Sequence, residues 1–260
     1  MDIQLVDSHC HLDRLDLNKL GGDLDHVYAQ AKEHGISHML CVGINMELWP
    51  EMMKIVEAAG DNVYASVGVH PNDDDGHDPS VEELVELSKH PKVVAIGETG
   101  LDYFRSEGDL DWQRDRFRRH IAAAKQTGKP LIIHSREAQP DTLKIMAEEG
   151  ADQAGGVMHC FVDDWETAKG AMELGFYISF SGIVTFKTAV ELKEVAKKMP
   201  LDRMLVETDS PYLTPMPFRG KTNQPAYTRY VAEHIAELRG ESLETIAKAT
   251  TENFFKLFKV

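Results

Sequence analysis

Long apolar runs are absent from the 260-residue sequence: no stretch approaches the roughly 20 apolar residues that a membrane-spanning helix needs. The beginning of the chain also lacks the basic segment followed by an apolar segment that marks a secretory signal. Cysteine is scarce, and the odd number and apolar surroundings of Cys10, Cys41 and Cys160 argue against a disulfide framework. We therefore expect a cytoplasmic protein without membrane association.

Positive charge is in deficit, since 28 lysines and arginines face 43 aspartates and glutamates and leave a formal net charge of −15. An acidic surface repels extended polyanions, which argues against a protein that wraps duplex nucleic acid. A single phosphate or a strand end is not excluded, because bound metal ions supply positive charge locally. The sequence indicates no obligate protein partner.

The sequence does contain a regular alternation of short apolar runs and amphipathic segments. The runs are typical of strands buried on both faces of a parallel sheet, at 3–6, 37–43, 63–69, 93–97, 130–133, 156–159, 176–180 and 204–207. Helical periodicity covers 24–34, 47–59, 81–88, 112–127, 138–149, 165–174, 189–198, 228–238 and 243–258. This α/β pattern predicts one (β/α)8 TIM barrel domain over residues 1–260, with an open doubly wound sheet as the alternative.

Residues of metal-ligand type stand at one end of these strands. The segment DSHCHLD (7–13) follows the first strand, and because side chains on an extended chain alternate between faces, His9 and His11 point the same way. Asp7 shares that direction and is expected to support them from beneath. An isolated His-x-His is also explained by a hydrogen-bonded turn, but further candidates end the later strands: His70, Glu98, His134, His159 and Asp209. In a (β/α)8 barrel such strand ends form the active-site mouth.

Six of these residues suggest a metal site: His9, His11, Glu98, His134, His159 and Asp209. One divalent ion rarely takes four imidazoles and two carboxylates and still keeps an open position, whereas two ions do so if Glu98 bridges them. The mixture of nitrogen and oxygen ligands suits Zn²⁺, with Mn²⁺, Ni²⁺ or Mg²⁺ as alternatives. Two such ions clamp the attacking and leaving oxygens of a phosphoester and lower the pKa of bound water.

The motifs at these positions resemble the TatD family of metal-dependent deoxyribonucleases. They are DSHCHLD (7–13), VGVHP (67–71), IGETGLDY (96–103), HSR (134–136), HCF (159–161), ETDSPYL (207–213) and RGKTNQP (219–225). The resemblance implies an amidohydrolase-type barrel that holds two divalent ions through the same six residues. It implies metal-dependent hydrolysis of DNA phosphodiesters, mainly from a 3′ end, and hence DNA ends as partners. Some relatives are linked to removal of D-amino acids from tRNA, which leaves the substrate open.

Three residues are predicted to take part in catalysis, namely Asp209, Glu98 and His70. His9 and His11 are assigned to one ion with Asp209, which is also predicted to take a proton from the attacking water. A carboxylate that caps the turn before Pro211 is the alternative for Asp209. His70 either contacts or protonates the phosphate, or anchors the loop beside its own proline.

Four residues are predicted to contact substrate, namely Arg136, His70, Tyr103 and Arg219. Arg136 shares the direction of His134 and is suited to clamp a phosphate oxygen, with a salt bridge at the rim as the alternative. Arg219 lies in the loop after strand eight, where barrels often bind phosphate. Glu207 is expected to lie deeper than Asp209 and to hydrogen-bond rather than to bind an ion.

Three functional hypotheses follow. The first is a two-metal phosphodiesterase acting on DNA ends. The second keeps the metal site but hydrolyses another bond, as an amidohydrolase, lactonase or aminoacyl-tRNA deacylase, and the acidic charge and lack of a basic stripe support it. The third is a non-catalytic metal-binding scaffold.

Overall fold

Eight parallel strands pair in sequence order in the computed structural model, which describes residues 3–260. They are β1 (Leu5–Cys10), β2 (Ile36–Cys41), β3 (Val63–Val67), β4 (Val93–Asp102), β5 (Leu131–Arg136), β6 (Gly156–Met158), β7 (Tyr177–Phe180) and β8 (Met204–Val206). The first and last strands meet where Cys10 forms a parallel bridge with Ser210, and the His11 N–H donates to the Ser210 carbonyl at 2.8 Å. This closure confirms the predicted TIM barrel and excludes the open sheet.

Nine α-helices follow or connect the strands. They are α1 (Leu24–Glu33), α2 (Trp49–Ala58), α3 (Val81–Leu87), α4 (Asp111–Thr127), α5 (Gln139–Glu148), α6 (Trp165–Glu173), α7 (Val190–Lys198), α8 (Thr228–Arg239) and α9 (Leu243–Phe258), counted over the described residues. No bound differs from its predicted position by more than two residues. Within residues 3–260, none of these helices combines the length and apolar character needed to cross a membrane.

Three strands extend further than predicted, which corrects the placement of three candidate ligands. β1, β4 and β5 run to Cys10, Asp102 and Arg136, so His9, Glu98 and His134 lie inside strands rather than after them. The reason is that the backbone ladder continues past the apolar run: β4 still pairs with β5 from Thr99 opposite Ile133 to Asp102 opposite Arg136. Polar side chains at the barrel mouth interrupt the hydrophobic pattern without ending the strand.

Two glycines let β4 and β5 approach closely on either side of Glu98. Gly97 has a φ of +144°, and a Cβ there would lie 2.6 Å from the Ile132 carbonyl oxygen. Gly100 has a φ of +136°, and a Cβ there would lie 2.0 Å from the His134 carbonyl oxygen. Only glycine tolerates both the conformation and the contact. The Glu98 carboxylate is therefore carried on a tightly packed strand pair.

The barrel interior is closed at its N-terminal end by α9. One apolar cluster combines Val6, Leu40, Val94, Ile132, Val157 and Leu205 from six strands with Phe254 and Phe258 of α9. His38 of β2 lies at this end, with its ring centroid 5.0 Å from that of Phe255. The second cluster packs the outer faces of the strands against the surrounding helices. The opposite end of the barrel is thus free to carry polar groups.

Candidate metal centre

A cleft of about 860 Å³ opens at the C-terminal ends of the strands. Five of the six predicted ligands line it, together with His70: His11, Glu98, His134, His159 and Asp209. The sixth, His9, is fully buried directly beneath, and its ring stacks on that of His159 with centroids 3.8 Å apart. The structure therefore brings all six predicted ligands into one cluster.

The two oxygens of Glu98 face two different groups of imidazoles. Oε2 lies 3.3 Å from His9 Nε2 and 3.9 Å from His11 Nε2. Oε1 lies 2.8 Å from His159 Nε2, 3.2 Å from His134 Nδ1 and 3.3 Å from His70 Nε2. A carboxylate shared in this way is suited to bridge two cations.

The first group consists of His9, His11 and Asp209. Asp209 Oδ1 lies 3.3 Å from His11 Nε2 and 3.7 Å from His9 Nε2, and the two Nε2 atoms are 3.3 Å apart. Because His11 Nδ1 hydrogen-bonds to the Val42 carbonyl at 3.0 Å, the neutral ring carries its proton there and turns a lone pair toward the carboxylate. A lone pair and a carboxylate repel each other unless a cation, either a metal ion or a proton, lies between them.

In the second group, His134 and His159, each ring likewise donates from one nitrogen and turns the lone pair of the other toward a carboxylate. His134 Nε2 donates to Asp102 Oδ2 at 3.0 Å, and His159 Nδ1 donates to Glu207 Oε1 at 3.3 Å. The remaining nitrogen of each ring then points its lone pair at Glu98. Metal-binding histidines usually donate their second ring N–H to a carboxylate or a carbonyl, which fixes the tautomer. The donor set of the centre therefore fits divalent cations.

His70 turns an N–H donor, rather than a lone pair, toward Glu98. Its Nδ1 accepts a hydrogen bond from the backbone N–H of Asn72 at 3.0 Å, so the proton of the neutral ring is on Nε2. That Nε2–H donates to Glu98 at 3.3 Å. His70, Glu98 and His134 come close enough to hold an ion together. The tautomer of His70 nevertheless separates it from the other histidines, because it presents a donor to the cleft.

The carboxylates at the centre stay ionised. Burial alone raises the pKa of Glu98, but the imidazoles of His159 and His70 outweigh it and hold that pKa well below its usual range. Burial likewise opposes ionisation of Asp209, whereas a hydrogen bond from protonated His11 and the charges of the nearby histidines lower its pKa. Two negative charges are thus maintained at the base of the cleft, where they attract cations.

Asp7 joins the first strand to the segment that carries Asp209. Its carboxylate accepts hydrogen bonds from the backbone N–H of Thr208 at 2.9 Å and from its hydroxyl at 2.6 Å. Complete burial raises the pKa of Asp7 to about 8 despite these bonds. Because Asp7 contacts the backbone next to Asp209 rather than the cleft, it supports the centre from beneath.

A row of buried polar side chains on α4 positions the loops of the cleft, and the sequence interpretation missed it. Gln113 Oε1 accepts from the Asp102 N–H at 2.8 Å. Arg116 Nη1 donates to the His70 carbonyl at 3.1 Å. His120 Nε2 accepts from the Val69 N–H at 3.1 Å, and burial lowers the pKa of His120 to about 4, so it remains neutral. The spacing of three and four residues was the available signal that they share one helix face.

The predicted substrate contacts divide into two groups. His70 and Arg136 line the cleft. The Tyr103 hydroxyl instead donates to Asp141 at 2.7 Å, and the Arg219 guanidinium lies 4.3 Å from the centre of the Phe186 ring. Neither of these two side chains lines the cleft. Three others that the sequence interpretation did not select do line it, namely Arg14, Arg105 and Tyr212.

A closed (β/α)8 barrel with inward-facing imidazole lone pairs and ionised carboxylates at its mouth belongs to the class of metal-dependent hydrolases. Comparison with known proteins agrees with this class. The model of the family described as TatD related DNase matches residues 6–259. The chain belongs to that family, as the sequence resemblance predicted.

Relatives of the chain are named as a metal-dependent hydrolase and as an exonuclease. The metal-dependent hydrolase YcfH of Escherichia coli K12 is 49% identical over 257 residues, which cover 98% of this chain and 96% of YcfH. The 3′-5′ ssDNA/RNA exonuclease TatD of Edwardsiella piscicida is 30% identical over 248 residues, covering 93% and 95% of the two chains. The crystal structure of YjjV, a TatD homologue from E. coli K12, has a TM-score of 0.90 at 29% identity and covers 100% of both chains.

Proposed function

We propose that the protein hydrolyses phosphodiester bonds at the 3′ end of DNA with two divalent ions. The observation that carries this proposal is the Glu98 carboxylate, whose two oxygens face two separate imidazole groups. A pair of ions is the arrangement that serves in-line displacement at phosphorus. The Edwardsiella piscicida relative named as a 3′-5′ exonuclease gives the direction of attack.

His9, His11 and Asp209 would hold the first ion, His134 and His159 the second, and Glu98 both. The imidazole-rich donor set favours Zn²⁺, with Mn²⁺ and Mg²⁺ as alternatives. Ions bound there would polarise a phosphoryl oxygen and make a water molecule acidic enough to attack at neutral pH. Asp102 and Glu207 orient the two rings of the second group through their hydrogen bonds.

Two side chains of the cleft move or hold protons in this proposal. Asp209 is ionised, 14% exposed at its side chain, and suited to accept the proton of the attacking water. His70 presents its Nε2–H to the cleft and donates to a phosphate oxygen. Burial lowers the pKa of His70, so the ring stays neutral and keeps the tautomer that Asn72 fixes.

Arginines at the mouth supply the local positive charge that an acidic protein needs for a phosphate. Arg105 and Arg136 line the cleft, and neither forms an ion pair with a carboxylate among residues 3–260. Arginines on α4 differ, since Arg114, Arg116 and Arg118 all pair with aspartate or glutamate. The two unpaired guanidinium groups are free to pair with substrate phosphates.

The direct test is an exonuclease assay with defined metals. Protein stripped with a chelator is expected to release mononucleotides from the 3′ end of a 5′-labelled oligonucleotide only after Zn²⁺, Mn²⁺ or Mg²⁺ is restored. A small-ester panel and charged tRNA, assayed at equal concentration, distinguish the other hydrolase class. No release of nucleotides with any of the three metals would contradict the proposal.

His70 is expected to act without binding an ion. His70→Ala should lower kcat/KM about 10²–10³-fold, as loss of a single preorganised donor does, while the ion content of the protein stays unchanged. His70→Gln restores an N–H donor and should recover part of the activity. Ion analysis beside the kinetics separates the roles, because a lower ion content would make His70 a ligand. His90→Gln, at a half-buried histidine paired with Glu57, is the matched control.

A further inference from the structure

Two aromatic side chains stay largely exposed within residues 3–260, and both lie at the mouth of the barrel. Phe104 is 54% exposed and Tyr212 is 53% exposed, whereas every other aromatic residue in this part of the chain is buried or half-buried. Tyr212 lines the cleft, and its ring lies 6.2 Å from that of His11. Phe104 carries the guanidinium of Arg136, a cleft residue, 3.9 Å above the centre of its ring.

The two rings follow strands on opposite sides of the barrel mouth, with Tyr212 in the cleft lining and Phe104 beside it under Arg136. Phe104 follows β4 and Tyr212 follows β8, and strands four apart are on opposite sides of a closed eight-stranded barrel. Glu98 lies on β4 and Asp209 follows β8, so each ring is carried by an element that also carries a residue of the metal centre.

The backbone of both aromatic residues is hydrogen-bonded to groups of the metal centre and its supporting loops. The Tyr212 N–H donates to the Asp209 carbonyl at 2.9 Å, and its carbonyl accepts from the side chain of the buried Asn223. The Phe104 N–H donates to Asp102, the residue that orients His134, at 3.0 Å. The position of each ring relative to the metal centre is therefore set by its backbone contacts.

We propose that Tyr212 and the Phe104–Arg136 pair stack on the unpaired bases on either side of the scissile phosphodiester. The inference rests on the proposed function and adds two base-binding positions beside the scissile bond. Aromatic and guanidinium planes bind any base, because every base has a π face. Stacking also provides affinity that does not depend on charge, which suits a protein of net charge −15.

The test combines protein variants with substrate variants, in the manner of a double-mutant cycle. Two single-stranded oligonucleotides are compared, one natural and one with abasic residues on both sides of the terminal scissile bond. The parent protein is expected to show kcat/KM about tenfold higher or more on the natural strand, from the range known for base stacking. Tyr212→Ala and Phe104→Ala should each lose part of that advantage, with a larger drop in kcat/KM on the natural strand than on the abasic strand. Tyr212→Phe should keep the advantage.

Binding measured by fluorescence anisotropy keeps the two proposals distinguishable. If the parent protein hydrolyses neither strand with any metal, the proposed function fails, yet tighter binding of the natural strand still supports stacking. Equal binding and equal cleavage of the two strands, or an equal effect of Tyr212→Ala on both, would overturn the stacking proposal. Val162→Ala is the matched control, because it removes an exposed apolar side chain from the same cleft without removing a π face.

Discussion

A Glu98→Gln variant is expected to lose about 10³-fold in kcat. Two metal ions bridged by one carboxylate stabilise the transition state by several kcal/mol, and each 1.36 kcal/mol is a factor of ten in rate. Glutamine keeps the shape of the side chain but removes the charge that both imidazole groups face. One equivalent of divalent ion per chain, instead of two, should remain by elemental analysis.

Glu98→Gln is informative because glutamine keeps the shape of the side chain and removes only its charge. The side chain is 2% exposed, and its carboxylate contacts the imidazoles of both groups. Thermal unfolding of the metal-free variant should occur at a lower temperature than that of the metal-free parent, because the imidazoles lose their ionised partner, and added ions should stabilise the parent more. Glu191→Gln, on the exposed surface of α7, controls for the chemistry of the substitution. Full activity with two bound ions in Glu98→Gln would exclude the bridging role.

Asp209→Asn is expected to reduce kcat by about 10²–10⁴-fold, the usual loss when a general base is removed. Asp209 has a φ of +55°, a conformation that asparagine also adopts readily, so the backbone should be preserved. Its N–H bond to the His9 carbonyl at 2.9 Å is likewise retained. Single-turnover cleavage of the 3′ end measures the loss without interference from product release.

The two alternatives for Asp209 make different predictions in that experiment. If the carboxylate only caps the turn before Pro211, Asp209→Asn should unfold at a lower temperature while kcat stays near that of the parent. A non-catalytic scaffold predicts that folded Asp209→Asn and His134→Ala proteins keep their cellular function. Complementation of a deletion strain with these two variants tests that alternative.

The barrel was predictable because its determinants are local. Apolar runs such as 176–180 and helix-ending glycines such as Gly128 act within a few residues, and the helix bounds followed within two residues. The ends of β1, β4 and β5 could not be predicted in this way, because pairing with a neighbouring strand continues where the apolar pattern stops. In a barrel whose mouth is polar, the hydrophobic pattern underestimates strand length at the functional end.

The candidate ligands could be selected from their positions in the sequence, but the tautomers of their imidazole rings could not be predicted. The tautomer of His11 is set by the Val42 carbonyl, and that of His70 by the Asn72 N–H, contacts that become visible only in three dimensions. The same limit applies to the tyrosines of the mouth. Tyr103 and Tyr212 both follow ligand motifs, yet one hydrogen-bonds to Asp141 and the other faces the cleft. No rule of spacing separates these two outcomes.

The seam at which β1 meets β8 determines when the metal centre can form during synthesis. Asp7 and Thr208 are 201 residues apart and hydrogen-bonded, and the first ion group is split across the same seam. A ribosome that has made only the first seven strands holds a chain with His9 and His11 but without Asp209. The nascent polypeptide therefore cannot complete its cation site until its last strand emerges from the exit tunnel.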